Sequence, residues 1–124
     1  MSGFSAVLGN PPFLGGQKLT GTYGNPFRDF LVQTIANGEK GSIDLCTYFL
    51  LQICQIKKYN GNIAIVTTNS ISQGNNERLG LKRLMLTGHR INDALTNIPW
   101  AGDASVIVHC ISVSRNQYPK HLNK

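Results

Sequence analysis

Asn10-Pro11-Pro12-Phe13 brings an amide, two rigid rings and an aromatic face together in four consecutive residues. The Asn10 side-chain oxygen can accept a hydrogen bond from an amino group. The Pro11 carbonyl can accept another, because the two prolines fix the backbone direction. Phe13 offers a flat face to a planar ring. Two acceptors aimed at one planar NH2 hold it, favour a more sp3-like nitrogen and steer its lone pair at an electrophile. Methylation of a poorly nucleophilic exocyclic amine needs that arrangement.

These residues require a strand to carry them. The apolar run over residues 4–8 reads as a buried strand, and Asn-Pro-Pro stops its pairing at once, since proline lacks an amide hydrogen. The motif therefore lies at the carboxyl end of a strand, the rim where open α/β sheets bind ligands. Residues 14–24 read as a glycine-rich loop that lacks the spacing of a phosphate loop. Asn25-Pro26 reads as an N-cap followed by proline at the first helical position, with Phe27, Phe30, Leu31 and Ile35 at helical spacing and Gly38 as the stop.

Asp44 starts a second helix, expected to run to about Lys58 and read as capped by Asp44 in preference to using it as an acid. Its stripe of Leu45, Phe49, Ile53 and Ile56, widened by Cys46, Leu50 and Cys54, implies burial against a sheet. Lys57, Lys58 and Asn60-Gly61 are expected to close it. Residues 62–68 form a continuous apolar strand of the parallel-sheet kind, with Asn69 and Ser70 at its carboxyl end. Asn76 reads as the next N-cap, for a helix over 77–86 stopped by Gly88. Residues 90–98 and 104–113 are strands joined by a turn at 99–103, hence antiparallel neighbours.

The motif resembles the catalytic tetrapeptide of amino-methyltransferases that use S-adenosylmethionine (SAM). The blocks NPPFLGG, DLCTYFLLQICQ, GNIAIVTTNSISQGNNERLGLKRL and IPWAGDASVIVHCISVSR, in this order, resemble the single-chain, type IIG-like restriction-modification enzymes that methylate adenine N6. The resemblance implies an α/β fold: the second half of a class I, Rossmann-like methyltransferase sheet, with parallel strands plus one reversed strand. It divides the chain into a partial catalytic domain, 1–115, and a basic tail, 116–124. Asn10, Pro11, Pro12 and Phe13 become the catalytic candidates, and Asn69, Ser70 and Trp100 the substrate-binding ones. Gln17, Lys18, Lys82 and Arg83 are candidate DNA contacts. The implied partner is double-stranded DNA with its adenine flipped out of the stack, Phe13 stacking on the extruded base.

The resemblance also identifies an absence. In the family, a first half supplies the glycine-rich turn that cradles the methionine end of SAM and the acid that holds its ribose, and only three residues precede Phe4. A missing N-terminal half or companion chain is therefore expected, with an unpaired apolar edge on the first strand and no turnover by this chain alone. The competing readings are a methyltransferase acting on a protein glutamine or on guanine in rRNA, and a non-catalytic remnant that binds DNA. Residue by residue, Asn69 and Ser70 could be caps, Trp100 could be core, and Lys82 and Arg83 could be a solvated face.

Composition sets the outer bounds. The 124 residues suit one modest domain, and 41% hydrophobic with 15% charged residues suits a folded one. Twelve Lys and Arg against six Asp and Glu leave a net charge of +6, compatible with a polyanionic partner. No signal peptide or membrane-length apolar run is visible, so a cytoplasmic protein without a membrane partner is expected. Cys46, Cys54 and Cys110 lack zinc-like spacing, and His89, His109 and His121 lack metal-site companions, so no metal is inferred and the thiols are expected to be reduced.

Overall fold

The apolar run that precedes Asn10 forms β1 (Phe4–Gly9), which pairs in parallel with β2 (Lys57–Thr68). β3 (Arg90–Trp100) and β4 (Asp103–Ser114) make an antiparallel hairpin, and β4 also lies antiparallel against β2. The strand order is β1-β2-β4-β3, so three strands point one way and β4 alone is reversed. This is the expected α/β class. The computed structural model describes residues 2–100 and 103–115; the side chains of Gly16, Gln17 and residues 103–105 also lie outside the description, as does the tail at 116–124.

Between β1 and β2 the chain forms α1 (Gly16–Tyr23), α2 (Asn25–Phe30) with a π-helical turn (Leu31–Ile35), and α3 (Leu45–Ile56). After β2 come a 3-10 turn (Asn69–Ser72) and one helical run: α4 (Gly74–Asn76), a π-helical turn (Glu77–Leu81) and α5 (Lys82–Leu86). α3 owes its wide apolar surface to two neighbours. Cys46, Leu50 and Ile53 pack with Ile63, Ile65, Ile111 and Val113 of the sheet, whereas Leu45, Tyr48 and Leu51 pack with Leu19, Leu31 and Leu79. Fully burying one such side chain contributes about 1.5–3 kcal/mol. Phe49 and Ile56, expected in the buried stripe, are exposed instead, because the two packed faces leave the outer side of the helix to solvent.

Four local expectations are corrected. The glycine-rich stretch over 14–24 is mostly helix, since burying Leu19 in the second cluster outweighs the poor helix propensity of its glycines. Gly24, at φ +88°, caps α2, so Asn25 is already helical and Pro26 sits in the first turn. α3 stops at Ile56: Lys57 is extended and buried, its Nζ donating to the carbonyls of Lys58 and Tyr59 at 3.2 Å. Asn60-Gly61 is an irregularity inside β2, where a Cβ on Gly61 would stand 2.7 Å from the Phe4 carbonyl. Asn76 does not cap its own helix. It caps the approach to another.

That role builds the frame of the rim. Asp44 caps α3, its Oδ1 accepting from Cys46 N at 2.9 Å and from Leu14 N at 3.3 Å. Leu45 N donates to the Leu14 carbonyl at 2.9 Å, so the residue after Phe13 is held from both sides. Asn76 Oδ1 in turn accepts from Asp44 N at 2.7 Å and from Thr47 Oγ1 at 2.8 Å. The segments leaving β1 and β2 are thereby tied to one helix N-terminus.

Two measurements follow from this packing. A Cβ on Gly80 would meet Thr47 Cγ2 at 2.9 Å, and Thr47 is fully buried with no room to retreat. Gly80→Ala is expected to lower stability by about 1–3 kcal/mol in urea denaturation. Burial lifts the Asp44 carboxyl above the usual carboxylate range, against the pull of the Cys46 and Leu14 N–H donors. Its stabilising contribution is complete below the ordinary carboxylate range and is lost as pH rises through the raised value. Asp44→Asn keeps an accepting oxygen without the charge and should flatten that dependence at no cost at neutral pH. Asp44→Ala should lose about 0.5–2 kcal/mol.

Candidate active-site rim

Asn10 follows the last residue of β1 and is exposed, and no described residue holds its amide by a hydrogen bond. Pro11 behind it is buried, Pro12 is exposed and Phe13 is half-buried. An immobilised backbone with a free amide at its tip suits a group that must grip a ligand. β1 and β2 are parallel neighbours with Gly9 opposite Ile65, so Asn69 and Ser70 leave the same end of the sheet one strand away. That is about 5 Å sideways. Asn69 is exposed, while the Ser70 hydroxyl lies 2.6 Å from Thr68 Oγ1 and Ser72 Oγ donates to the Asn69 carbonyl. Ser70 thus has a partner within its own turn, and the Asn69 amide faces solvent.

Trp100 ends β3 and therefore lies at the same end of the sheet, but three strands across from β1, roughly 14 Å at ordinary strand spacing. The hairpin also projects past the rim. Thr68, the last residue of β2, pairs with Val108, and β4 continues outward from there to Asp103. On β3 the same arm is shorter, since Ile98 pairs with Val108 and Trp100 lies two residues further, roughly 7 Å beyond the rim. Trp100 sits on it, 38% exposed and outside both core clusters.

The candidate DNA contacts do not gather in one place. Lys18 is exposed on α1, just after the motif, and Gln17 beside it has its side chain outside the described residues. Lys82 and Arg83 belong to the helical run that returns toward the start of β3, away from the rim. Lys82 is exposed, and Arg83 reaches the Ala36 carbonyl at 3.5 Å and Glu39 at 3.8 Å. Arg83 lines a small cavity with Arg115 and His89 at the opposite end of the sheet from Asn10.

Two buried thiols and the buried histidine are held uncharged. Burial, reinforced by the Asp44 charge, pushes Cys46 up to about 12, and burial pushes Cys54 up to about 11. Burial, helped by Arg115 and Lys57, lowers His89 to about 4. All three described cysteines are free. Cys46, Cys54 and His89 thus offer no nucleophile or base beside Asn10, and what the tip of β1 supplies is hydrogen-bond acceptance and aromatic surface.

SAM is the methyl donor that such a fold implies, and the described residues fit only one side of it. Asn10, the Pro11 carbonyl and Phe13 suit the amine that receives the methyl group. Of the described acids, Asp44 is spent on capping, and Asp93 lines the open sheet face with Asn10 from β3, not from the carboxyl end of β1 or β2. Gly9 is no cradle either, because a Cβ there would make ordinary contacts at 3.5 Å and beyond. β1 has one partner among the described residues, and Phe4 and Leu8 on it are 61% and 81% exposed. The sheet face opposite α3 is likewise open: a cavity of about 560 Å³ there is lined by Leu8, Asn10, Ala64, Val66, Leu95 and Cys110.

The sequence reading did not find Leu14, Thr68 or Asn76 as parts of this frame. Their partners lie across turns or some thirty residues away, and neither periodicity nor motif spacing reports such pairs.

The structure of the type IIL restriction-modification enzyme MmeI in complex with DNA matches with 28% identity and a TM-score of 0.70. The match covers 91% of this chain and 16% of that one. A Listeria monocytogenes protein described as a class I S-adenosylmethionine-dependent methyltransferase matches with a TM-score of 0.68 over 98% of this chain and 36% of its own, at 10% identity, which speaks to the fold alone. No curated protein matches. The family described as MmeI, DNA-methyltransferase domain, matches residues 4–124. With the motif at the end of β1, the reversed β4 and this match over nearly its whole length, the chain belongs to the MmeI DNA-methyltransferase domain family.

Proposed function

We propose that this chain supplies the amine-gripping part of a DNA methyltransferase that transfers a methyl group from SAM to adenine N6. The observation that carries the reading is the exposed Asn10 amide on an immobilised Pro11, clasped through Leu14 to the frame that also holds the β2 rim. The Asn10 oxygen and the Pro11 carbonyl accept the two N–H groups of the adenine amine, which turns its lone pair out of the ring system. Phe13 stacks on the base after it leaves the duplex, and Trp100 on its overhanging arm closes over it from the far side. Asn69 contributes a further amide at the pocket wall. Lys18 is the phosphate contact best placed for the rim.

On this reading the SAM-binding part is a separate segment that docks on the unpaired β1 edge and the open sheet face. Pairing that edge removes an aggregation-prone surface, and covering the face buries Leu8, Val66 and Leu95. The chain by itself is then inactive, because a methyl donor is not held in line with the amine.

A non-catalytic reading is favoured by one observation, the poor fit to SAM beside a net charge of +6. A salt-dependent DNA complex indifferent to SAM would support it. The test is Asn10→Ala in a complete enzyme carrying this domain, with duplex DNA and labelled SAM. Methylation is expected to fall by about 10²–10³-fold or more while SAM affinity stays nearly unchanged. Nucleoside analysis of the product separates N6-methyladenine from a guanine or protein product. Unchanged turnover would remove Asn10 from the mechanism.

A further inference from the structure

The projecting hairpin leaves the sheet at an irregularity. Leu95 pairs with Cys110 and Ile98 with Val108, so β3 takes one more residue than β4 over this interval. The extra residue bends the strand opposite His109, level with the last pairs of β2. Asn97 within it adopts φ +58°, the left-handed region that asparagine tolerates better than other side chains. Such bulges bend a strand and re-aim the side chains beyond it. Three residues beyond Asn97 is Trp100, past a second shift of register between Pro99 and Trp100 where β4 takes the extra residues.

One side chain holds this bend. The Asn97 N–H, which a regular ladder would pair with β4, donates instead to His109 Nδ1 at 3.2 Å. The ring accepts only through an unprotonated nitrogen, so the neutral tautomer carries its proton on Nε2. We propose that His109 is a positioning residue: by pinning the Asn97 bulge it sets the direction of the hairpin arm and so the placement of Trp100 beyond the rim. The functional use of that placement rests on the reading of Trp100 as a wall of the base pocket. The placement itself does not, and it can be measured without DNA.

His89 provides an internal control. Its Nδ1 lies 3.2 Å from the Leu84 carbonyl and 2.9 Å from the Thr87 hydroxyl, whose proton already goes to that carbonyl, so Nδ1 faces two acceptors and carries the ring's proton, the opposite tautomer. Imidazole nitrogen NMR of the wild-type chain at alkaline pH is expected to show His89 and His109 as neutral rings of opposite tautomer, with His109 protonated on Nε2. A His109 ring protonated on Nδ1 would overturn the proposal, with no variant required.

Trp100 is the only tryptophan, so its emission reports the arm directly. His109→Phe removes the acceptor and is expected to raise the acrylamide quenching constant of Trp100 about twofold, as the unpinned arm opens locally. His109→Asn places an amide oxygen where Nδ1 was and is expected to restore the wild-type value. Equal quenching in wild type and in a folded His109→Phe, judged by circular dichroism, would also overturn it. If the pin is confirmed and DNA still leaves Trp100 emission untouched, the base-pocket reading of Trp100 fails while the positioning role of His109 stands.

Discussion

A buried carboxylate at the start of α3 is the constraint on which the rim depends. Asp44 holds Leu14 and Cys46 with one oxygen, and its own N–H is held by Asn76. Without that clasp, the segments that leave β1 and β2 would be joined to the sheet only by their strands, and each hydrogen bond there would compete with water. With it, a loop carrying Asn10 and a helix following Asn69 share one anchor. The clasp needs a close approach of α3 and the later helix, which Gly80 permits against Thr47. A small residue in a helix thus serves a polar network one helical turn away. The cost is a carboxyl group kept out of water, visible in its raised affinity for a proton.

The two faces of the sheet are built to different standards. On one, Ile63, Ile65, Ile111 and Val113 are covered by α3 and the last helical run. On the other, Leu8, Val66 and Leu95 border an open cavity, and small residues such as Ala64 leave room at its centre. The burial along β2 alternates accordingly, full on one side and partial on the other. A continuous apolar run in the sequence is what a strand needs when both of its faces meet protein. Its composition therefore carries information about a covering layer that the described residues do not provide.

Much of this was legible in the residues, and the reason is locality. Asn-Pro-Pro ends a strand by chemistry contained within itself, and the hairpin follows from a weakly apolar run, a strongly apolar one and the short turn between them. The reversed β4 came with the family resemblance. What failed was propensity where tertiary burial overrode it. Glycines at 15, 16, 21 and 24 read as a loop, yet Leu19 has a core to enter and carries α1 with it. Phe49 read as core because one stripe was assumed, whereas α3 has two packed faces and Phe49 belongs to neither. Asn76 looked like a cap and is one, but for a helix some thirty residues earlier in the chain. Its residue type was informative and its partner was not. His109 gave no signal at all, because its importance depends on a register shift in the strand beside it.

The placement of chemistry along the sheet explains how the site can be divided. On the proposed reading the rim handles an acceptor amine, with an amide at the tip of β1, an amide after β2 and aromatic surface before and beyond them. These groups are neutral, and neutral acceptors hold an amine without protonating it, which would destroy the nucleophile. The donor presents the opposite problem, a charged and polar molecule that needs charged partners and backbone N–H groups. Those partners fit best on the far side of β1, where the strand edge is open, and not among α1 to α3, whose buried surface is apolar. On the proposed reading, β1 is the seam between the two tasks. Asn10, at its end, then reaches the amine while its strand borders the donor.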